Sequence, residues 1–260
     1  MSSLSPSRSH RLADLRAEVR AIEAAGRRAD LSCLPFGVEA MDARLAGGGL
    51  AYGALHEIAG ASPALSDDAA ASLFIAGIAA RLSQGKGIIL WALARRDLFA
   101  PGLAQAGVRP NSLIQAECGG DEEVLAVMED ALRHGGIAAV VGETARAGMA
   151  ATRRLQLAAE EGGTTALMLR RWRRGGEEPL SPPSSAVTRW RIGCVPSGAL
   201  PVEDAIGRPR WNVELARQRG GDPFSLIMEG SDAEGRLALP ALSSDRPDQA
   251  AGRQPTRRAA

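Results

Sequence analysis

The densest group of cationic side chains in the 260-residue chain is the run Arg170-Arg-Trp-Arg-Arg174. Guanidinium groups neutralise phosphates, and an indole ring stacks on an unpaired base. The run therefore predicts a nucleic-acid contact at Arg171, Trp172, Arg173 and Arg174. The alternative is a solvated strand end in which Trp172 covers the edge of the domain, and the residue types leave both interpretations open.

Residues that could ligate a metal or act as nucleophiles are scattered. The cysteines and histidines are Cys33, Cys118, Cys194, His10, His56 and His134. They form no Cys-x-x-Cys or Cys/His cluster, so the sequence predicts neither a metal site nor a disulfide framework. No nucleophile motif accompanies the histidines, so we expect them to be structural or exposed.

The overall charge excludes a strong electrostatic attraction of the whole molecule to nucleic acid or membrane. Lys and Arg number 31 against 30 Asp and Glu, for a net charge of +1, and 45% of the residues are apolar. Contacts with polyanions must then come from local patches. Without an apolar stretch of ~18 residues or a signal-peptide pattern, we expect a cytoplasmic protein that does not span or bind a membrane.

The elements that position these side chains follow an alternating order. Predicted strands at 54–58, 88–92, 113–116, 137–141 and 164–169 alternate with predicted helices at 66–83, 97–106, 121–134 and 144–160. Apolar strands separated by longer helices are typical of a parallel sheet that is covered on both faces. The sequence therefore predicts an α/β fold.

A loop at 171–185 separates this region from three further predicted strands at 187–194, 211–218 and 224–229, which favour an antiparallel extension of the sheet. Alternation assigns Trp190 and Trp211 to the core. The opposite faces would carry a basic ridge. Its predicted members are Arg189, Arg191 and Arg210, with Arg217 and Arg219 near the following turn.

The two ends of the chain differ from the region between them. Leu12, Leu15, Val19 and Ile22 recur at helical spacing, so residues 1–30 are predicted to hold an amphipathic helix. Its apolar stripe could pack on its own domain or on a neighbour. Residues 241–260 contain almost no large apolar side chain and predict a disordered tail, which leaves one domain at 31–240.

The segment before the first core strand resembles the RecA family. The matching residues are Gly37, Met41, Asp42, Gly48, Gly49, Leu50, Gly53, Glu57 and Gly60. The resemblance implies a RecA-like core, a mostly parallel sheet flanked by helices, with a phosphate-binding loop after the first core strand.

The predicted loop departs from G-x-x-x-x-G-K-[ST] at the positions that bind phosphate and magnesium. Counting from Gly60, Leu65 replaces the second glycine, Ser66 the lysine and Asp67 the hydroxyl that holds magnesium, and Asp68 adds a second carboxylate. The only lysine, Lys86, precedes a strand and cannot substitute. We therefore expect no nucleotide cofactor and no catalytic activity.

The ending Arg210-Trp-Asn-Val-Glu-Leu-Ala-Arg-Gln-Arg-Gly-Gly221, followed by residues 223–229, resembles the ImuA family. The resemblance implies an accessory role in SOS-induced translesion synthesis and mutagenesis. Implied partners are an ImuB-type Y-family-like protein and an error-prone replicative-type DNA polymerase, with RecA and single-stranded DNA as further candidates. Arg210, Arg217 and Arg219 are the predicted partner-binding residues, because guanidinium groups pair with carboxylates in two-pronged contacts.

Two other functions are compatible with a degenerate RecA-like chain. One is inhibition of cell division, as in SulA, which is shorter and lacks this ending. The other is a RecA-type DNA-dependent ATPase, which the missing lysine disfavours.

Overall fold

The computed structural model describes residues 33–83, 87–173, 175–197 and 207–240. The predicted N-terminal helix, the predicted tail, Lys86 and Arg174 lie outside these ranges, so the boundaries of the three predicted segments stay predictions. In the described part of the chain, no helix is long and apolar enough to cross a membrane.

From Leu55 onward, the described elements follow the predicted order, and two short strands and a short helix precede them. The strands are β1 Cys33–Leu34, β2 Leu50–Ala51, β3 Leu55–Gly60, β4 Ile89–Leu93, β5 Leu113–Glu117, β6 Ala139–Thr144, β7 Thr165–Arg170, β8 Thr188–Val195, β9 Arg210–Gln218 and β10 Phe224–Glu229. The α-helices are α1 Glu39–Asp42, α2 Leu65–Ser83, α3 Ala100–Gln105, α4 Asp121–His134 and α5 Met149–Gly162.

The main sheet has eight strands in the order β10-β9-β8-β3-β7-β6-β4-β5. Neighbouring strands from β8 to β5 run parallel, whereas β9 pairs antiparallel with both β8 and β10. The predicted α/β class, with a RecA-like parallel core and an antiparallel C-terminal extension, is confirmed. A separate two-stranded ribbon, β1 with β2, precedes the central strand β3.

Each face of the sheet has its own core. On one face, α2 packs with an aromatic group in which Phe36, Phe74 and Trp190 have ring centroids 5.7 to 6.0 Å apart. On the other face, α4 and α5 bury Met128 and Leu155 against the sheet. Because both faces are covered, every residue of β3, β6 and β7 is buried.

Three element boundaries differ from the predicted ones by three residues or more, for local reasons. The third helix begins at Ala100 rather than Asp97, and Pro101 occupies its first turn, where a proline fits best. Strand β6 continues to Thr144, three residues past its predicted end, because Glu143 and Thr144 pair with Leu169 and Arg170 of β7. The following helix therefore begins at Met149 and not at Thr144.

Candidate functional site

The position of the predicted phosphate-binding loop lies between the end of β3 and the start of α2, where the carboxyl ends of the parallel strands meet. Residues 61–64 form the whole connection. A Cβ on Gly60 would lie 3.0 Å from the carbonyl carbon of Asp67, so any larger residue here would require the strand and helix to shift apart by a few tenths of an ångström. The strand, loop and helix have the layout in which a phosphate-binding loop would lie.

The side chains in this loop make contacts within the protein. Leu65 is 82% exposed and Ser66 is also exposed, whereas Asp67 is buried. One carboxylate oxygen of Asp67 accepts a hydrogen bond from Ser62 Oγ at 2.6 Å, and the other accepts one from the backbone N–H of Cys194 at 2.8 Å. Asp67 therefore ties the loop to β8.

Arg171 connects three segments beside this loop. Its Nε and Nη2 donate to Glu143 Oε2 at 3.0 and 2.6 Å, and its Nη1 donates to Asp68 Oδ2. Asp97, in the β4–α3 connection, lies 3.7 Å from Nη2. We call Arg171, Asp68, Glu143 and Asp97 the Arg171 cluster. The charged side chains of this cluster fill the edge of the sheet at which the parallel strands end.

The central pair of the Arg171 cluster, Arg171 with Glu143, is largely shielded from water. The side chains of Arg171 and Glu143 are 10% and 3% exposed. Burial alone would lower the pKa of Arg171, but Glu143 and Asp68 outweigh it and raise the pKa above its ordinary value. Glu143 also accepts a hydrogen bond from Trp91 Nε1 at 2.7 Å. Arg171 is therefore fixed as a cation whose charge is used inside the domain.

The other residues of the predicted nucleic-acid run have different surroundings. Trp172 is half-buried, and its Nε1 donates to the carbonyl of Gly60 at 2.8 Å, so it covers the strand end. Arg173 is exposed. Arg174 lies outside the described residues. The nucleic-acid contact stays a prediction, and Arg173 is its one described arginine with an exposed side chain.

A second buried ion cluster is formed by residues of three neighbouring strands of the sheet. Glu57 in β3 is fully buried; its Oε1 accepts from Arg170 Nη1 at 2.9 Å and its Oε2 from Arg189 Nε at 2.7 Å. The three strands β7, β3 and β8 are neighbours, so each supplies one member. Sequence reasoning missed this cluster. A lone glutamate within a strand predicted to be buried was the signal, because a buried charge requires a partner.

The prediction that Arg189 belongs to an exposed basic ridge is wrong. The loop between β7 and β8 covers this face, and Arg189 Nη2 donates to the carbonyl of Pro182 at 3.0 Å. Arg191 is half-buried between Glu178 and Glu214, at 2.7 Å from each. The predicted core positions of Trp190 and Trp211 are confirmed, since both are almost completely buried.

The predicted partner-binding arginines differ in exposure. Arg217 is exposed as expected, whereas Arg210 and Arg219 are half-buried. Arg217 donates to the carbonyl of Ser184 at 3.2 Å and Arg219 to that of Ser185 at 2.5 Å, because the β7–β8 loop lies beside the end of β9. The role of these arginines in partner binding stays a prediction.

His56 has a structural environment. Its ring nitrogens lie 2.7 Å from Thr188 Oγ1 and 2.9 Å from the carbonyl of Ala51. Burial lowers its pKa to about 4, against the opposing effect of the Ala51 hydrogen bond. Among the described residues, no group of three or more His, Cys, Asp or Glu side chains could hold a metal ion.

No family model matches the chain. The chain is 39% identical over 214 residues to Protein ImuA of Caulobacter vibrioides strain NA1000 / CB15N, and the match covers 80% of this chain and 88% of that protein. Protein ImuA of Caulobacter vibrioides strain ATCC 19089 matches to the same extent. The similarity thus extends over most of both proteins, and the chain belongs to the ImuA family.

Proposed function

We propose that this protein is a non-catalytic accessory protein of SOS-induced translesion DNA synthesis, which acts by binding an ImuB-type polymerase-like partner. Membership of the ImuA family supports the biological setting. The observation that carries the non-catalytic part is the Arg171 cluster, which fills the carboxyl edge of the sheet with internal ion pairs.

A nucleotide phosphate requires backbone N–H donors, a cation and a magnesium ligand at this edge. The cation here, Arg171, is held by Glu143 and Asp68. Asp67, at the position of the magnesium-binding hydroxyl, is already bound to Ser62 and Cys194. A triphosphate would have to displace these contacts and approach several carboxylates, which supports a role without hydrolysis.

The family match also bears on the alternatives. It spans 88% of a Protein ImuA, which favours the mutagenesis role over inhibition of cell division in the manner of SulA. A RecA-type ATPase is disfavoured by the same Arg171 cluster that argues against phosphate binding.

We place the partner surface on the antiparallel strands β9 and β10. Strand β10 is the last strand of the described sheet, and apart from the bridge between Glu229 and Ala238 its outer edge can take a partner segment as a further strand. Its Ser225 and Ile227 are exposed, Ile227 by 43%. Arg210, Arg217 and Arg219 on the neighbouring strand and turn would fix the register of an acidic partner segment through paired contacts with its carboxylates.

The experiment is a binding measurement between the full chain and an ImuB-type protein. The Arg210→Glu, Arg217→Glu double variant should weaken the complex at least about tenfold, which corresponds to 1.4 kcal/mol. Its matched control is Arg146→Glu, Arg153→Glu, which makes the same charge change at two exposed positions outside β9 and β10. Equal affinities of the two folded variants would move the interface away from these strands.

Four further elements of the proposal are the location of this complex, a second polymerase, RecA and DNA. We expect the protein in the cytoplasm, together with an error-prone replicative-type polymerase recruited through the same partner. RecA is a further candidate partner. Single-stranded DNA is a candidate ligand through Trp172, Arg173 and Arg174, while Arg171 is committed to Glu143 and Asp68.

A further inference from the structure

The buried cluster of Glu57, Arg170 and Arg189, which we call the Glu57 cluster, contains two positive charges and one negative charge. The two arginines each bind one carboxylate oxygen of Glu57, at 2.9 and 2.7 Å. Among the described residues, Glu57 is the only carboxylate that forms an ion pair with either of them. The side chains of Glu57, Arg170 and Arg189 are 0%, 2% and 8% exposed, so water screens the excess positive charge poorly.

Arg170 also has a donor group without a partner. Its Nη1 binds Glu57 and lies 3.4 Å from the carbonyl oxygen of Ala147, whereas its Nε is buried and has no hydrogen-bond partner within the protein. A buried donor on a charged group is strongly unfavourable when it stays unpaired. In folded proteins such a group is satisfied by an ordered water or by a bound ion.

The neighbouring strand supplies a second group of this kind. Thr144 ends β6 and pairs in register with Arg170 of β7, so the two side chains leave the same face of the sheet from strands about 4.8 Å apart. Thr144 is 1% exposed, and its Oγ1 has no hydrogen-bond partner within the protein. The hydroxyl and the Nε–H are therefore two buried donors on adjacent strands.

The amino end of α5 lies beside these donors. Four residues connect β6 to Met149, the first residue of the helix, and the contact of Arg170 with Ala147 falls in this connection. The first N–H groups of a helix have no intrahelical acceptor and carry partial positive charge. Gly148 at the N-cap offers no side-chain hydrogen bond, and the first turn contains no acidic residue. This helix end thus lacks the usual negative compensation.

The carboxylate that binds this connection is already used. Asp121 Oδ1 and Oδ2 accept the backbone N–H groups of Ala145 at 3.1 Å and Arg146 at 2.8 Å. Asp121 makes no hydrogen bond with Arg170 Nε or Thr144 Oγ1. Excess positive charge, two unpaired donors and an uncompensated helix end therefore point to a negatively charged acceptor from outside the chain.

We propose that Arg170 Nε and Thr144 Oγ1 bind a small inorganic anion, chloride, at the amino end of α5. A monatomic anion accepts hydrogen bonds from both donors, and its charge balances the excess of the Glu57 cluster. The amino end of the helix adds a favourable potential for it. Because both side chains are almost completely buried, the position suits a monatomic ion better than a phosphate that belongs to a larger molecule.

This anion site is separate from the Arg171 cluster. Glu143 and Thr144 are consecutive in β6, so their side chains leave opposite faces of the sheet. Glu143 holds Arg171 on one face, and Thr144 lies with the Glu57 cluster on the other. The inference therefore stands independently of the proposed function.

Thermal unfolding of the full-length protein tests the site. Sodium chloride is compared with sodium gluconate at equal ionic strength, so that general screening of charges is the same. When chloride exceeds its dissociation constant about twentyfold, the unfolding midpoint of the wild type should rise by about 4 °C. Thr144→Val keeps the shape of the side chain but removes the donor, and should lose most of this rise. The control Thr144→Ser should retain it. Equal rises in the wild type and Thr144→Val, or no rise in the wild type, would overturn the proposal.

A bromide derivative distinguishes an anion from a water molecule at the same position. Bromide takes the place of chloride, and its anomalous scattering identifies it in crystals of the full-length protein. We expect an anomalous peak within about 3.5 Å of both Arg170 Nε and Thr144 Oγ1. A water molecule bound to the two atoms, with no anomalous signal, would show that the donors are hydrated and would contradict the proposal.

Discussion

Two consecutive arginines at the end of β7 serve two different ion clusters. Arg170 is the last residue of the strand and pairs with the buried Glu57. Arg171 follows the strand and pairs with Glu143 and Asp68. The sequence shows the run of arginines but not their partners. Those partners come from β3, α2 and β6, which are distant in the chain and adjacent only in the fold.

At the residue scale, Arg171→Ala should destabilise the protein strongly. The change leaves the carboxylate of Glu143, which is 3% exposed, without its cationic partner. Breaking a buried ion pair in this way costs about 3 to 5 kcal/mol. The free energy of unfolding is measured by denaturant titration.

The neighbouring variant Arg173→Ala is the control for this change. Arg173 is exposed, so its replacement should alter the free energy of unfolding by no more than about 0.5 kcal/mol. If Arg171→Ala were as mild as Arg173→Ala, the Arg171 cluster would not be part of the folded core.

The burial of His56 should make the free energy of unfolding depend on pH. Burial lowers its pKa from 6.5 to about 4 in the folded protein, so the unfolded chain binds a proton more readily between these values. The contribution of His56 is therefore complete above about pH 6.5 and is lost as the pH falls to about 4, by on the order of 3 kcal/mol.

The measurement compares wild type with His56→Gln, which cannot bind this proton. Their difference in free energy of unfolding, determined at several pH values, should narrow as the pH falls from 6.5 to 4. A difference that stays constant over this range would show that His56 does not carry the effect.

At the scale of elements, apolar periodicity predicts the strands and helices well but fails where polar residues continue a strand. The predicted end of β6 omits Gly142, Glu143 and Thr144, which read as polar, although all three are buried and pair with β7. For Arg189 the failure is similar. Alternation gives its face correctly, but the loop that covers this face is a tertiary feature.

The β7–β8 loop is the element on which the nucleic-acid prediction depends. In this loop Trp172 bonds to Gly60 and Glu178 bonds to Arg191, whereas the side chain of Arg173 is exposed. If Arg173 and Arg174 contact phosphates, Arg173→Ala with Arg174→Ala should reduce the slope of log affinity for single-stranded DNA against log salt by about 0.7 per lost contact.

The control for the loop is Arg146→Ala with Arg153→Ala, which removes two exposed arginines elsewhere. Fluorescence anisotropy with a single-stranded oligonucleotide over a series of salt concentrations gives both slopes. Unchanged affinity and slope in the Arg173, Arg174 variant would identify the run as a solvated surface.

At the scale of the whole molecule, the chain has a RecA-like sheet, and the edge where a phosphate-binding loop is predicted is filled by internal ion pairs. A fold can persist when its chemistry is lost, so the function must be assigned from surfaces and partners. Net charge and composition alone do not indicate the proposed role in translesion synthesis. The departures at Leu65, Ser66 and Asp67 predict that the protein does not hydrolyse nucleotides, and the Arg171 cluster adds a physical argument for that prediction.

The most direct test of a non-catalytic binding role is isothermal titration of the full-length protein with an ImuB-type partner, in the absence and in the presence of magnesium and ATP. We expect a complex with the same affinity under both conditions, and no heat of binding when ATP is titrated alone. A complex that forms only with ATP, or measurable hydrolysis during the titration, would contradict this account.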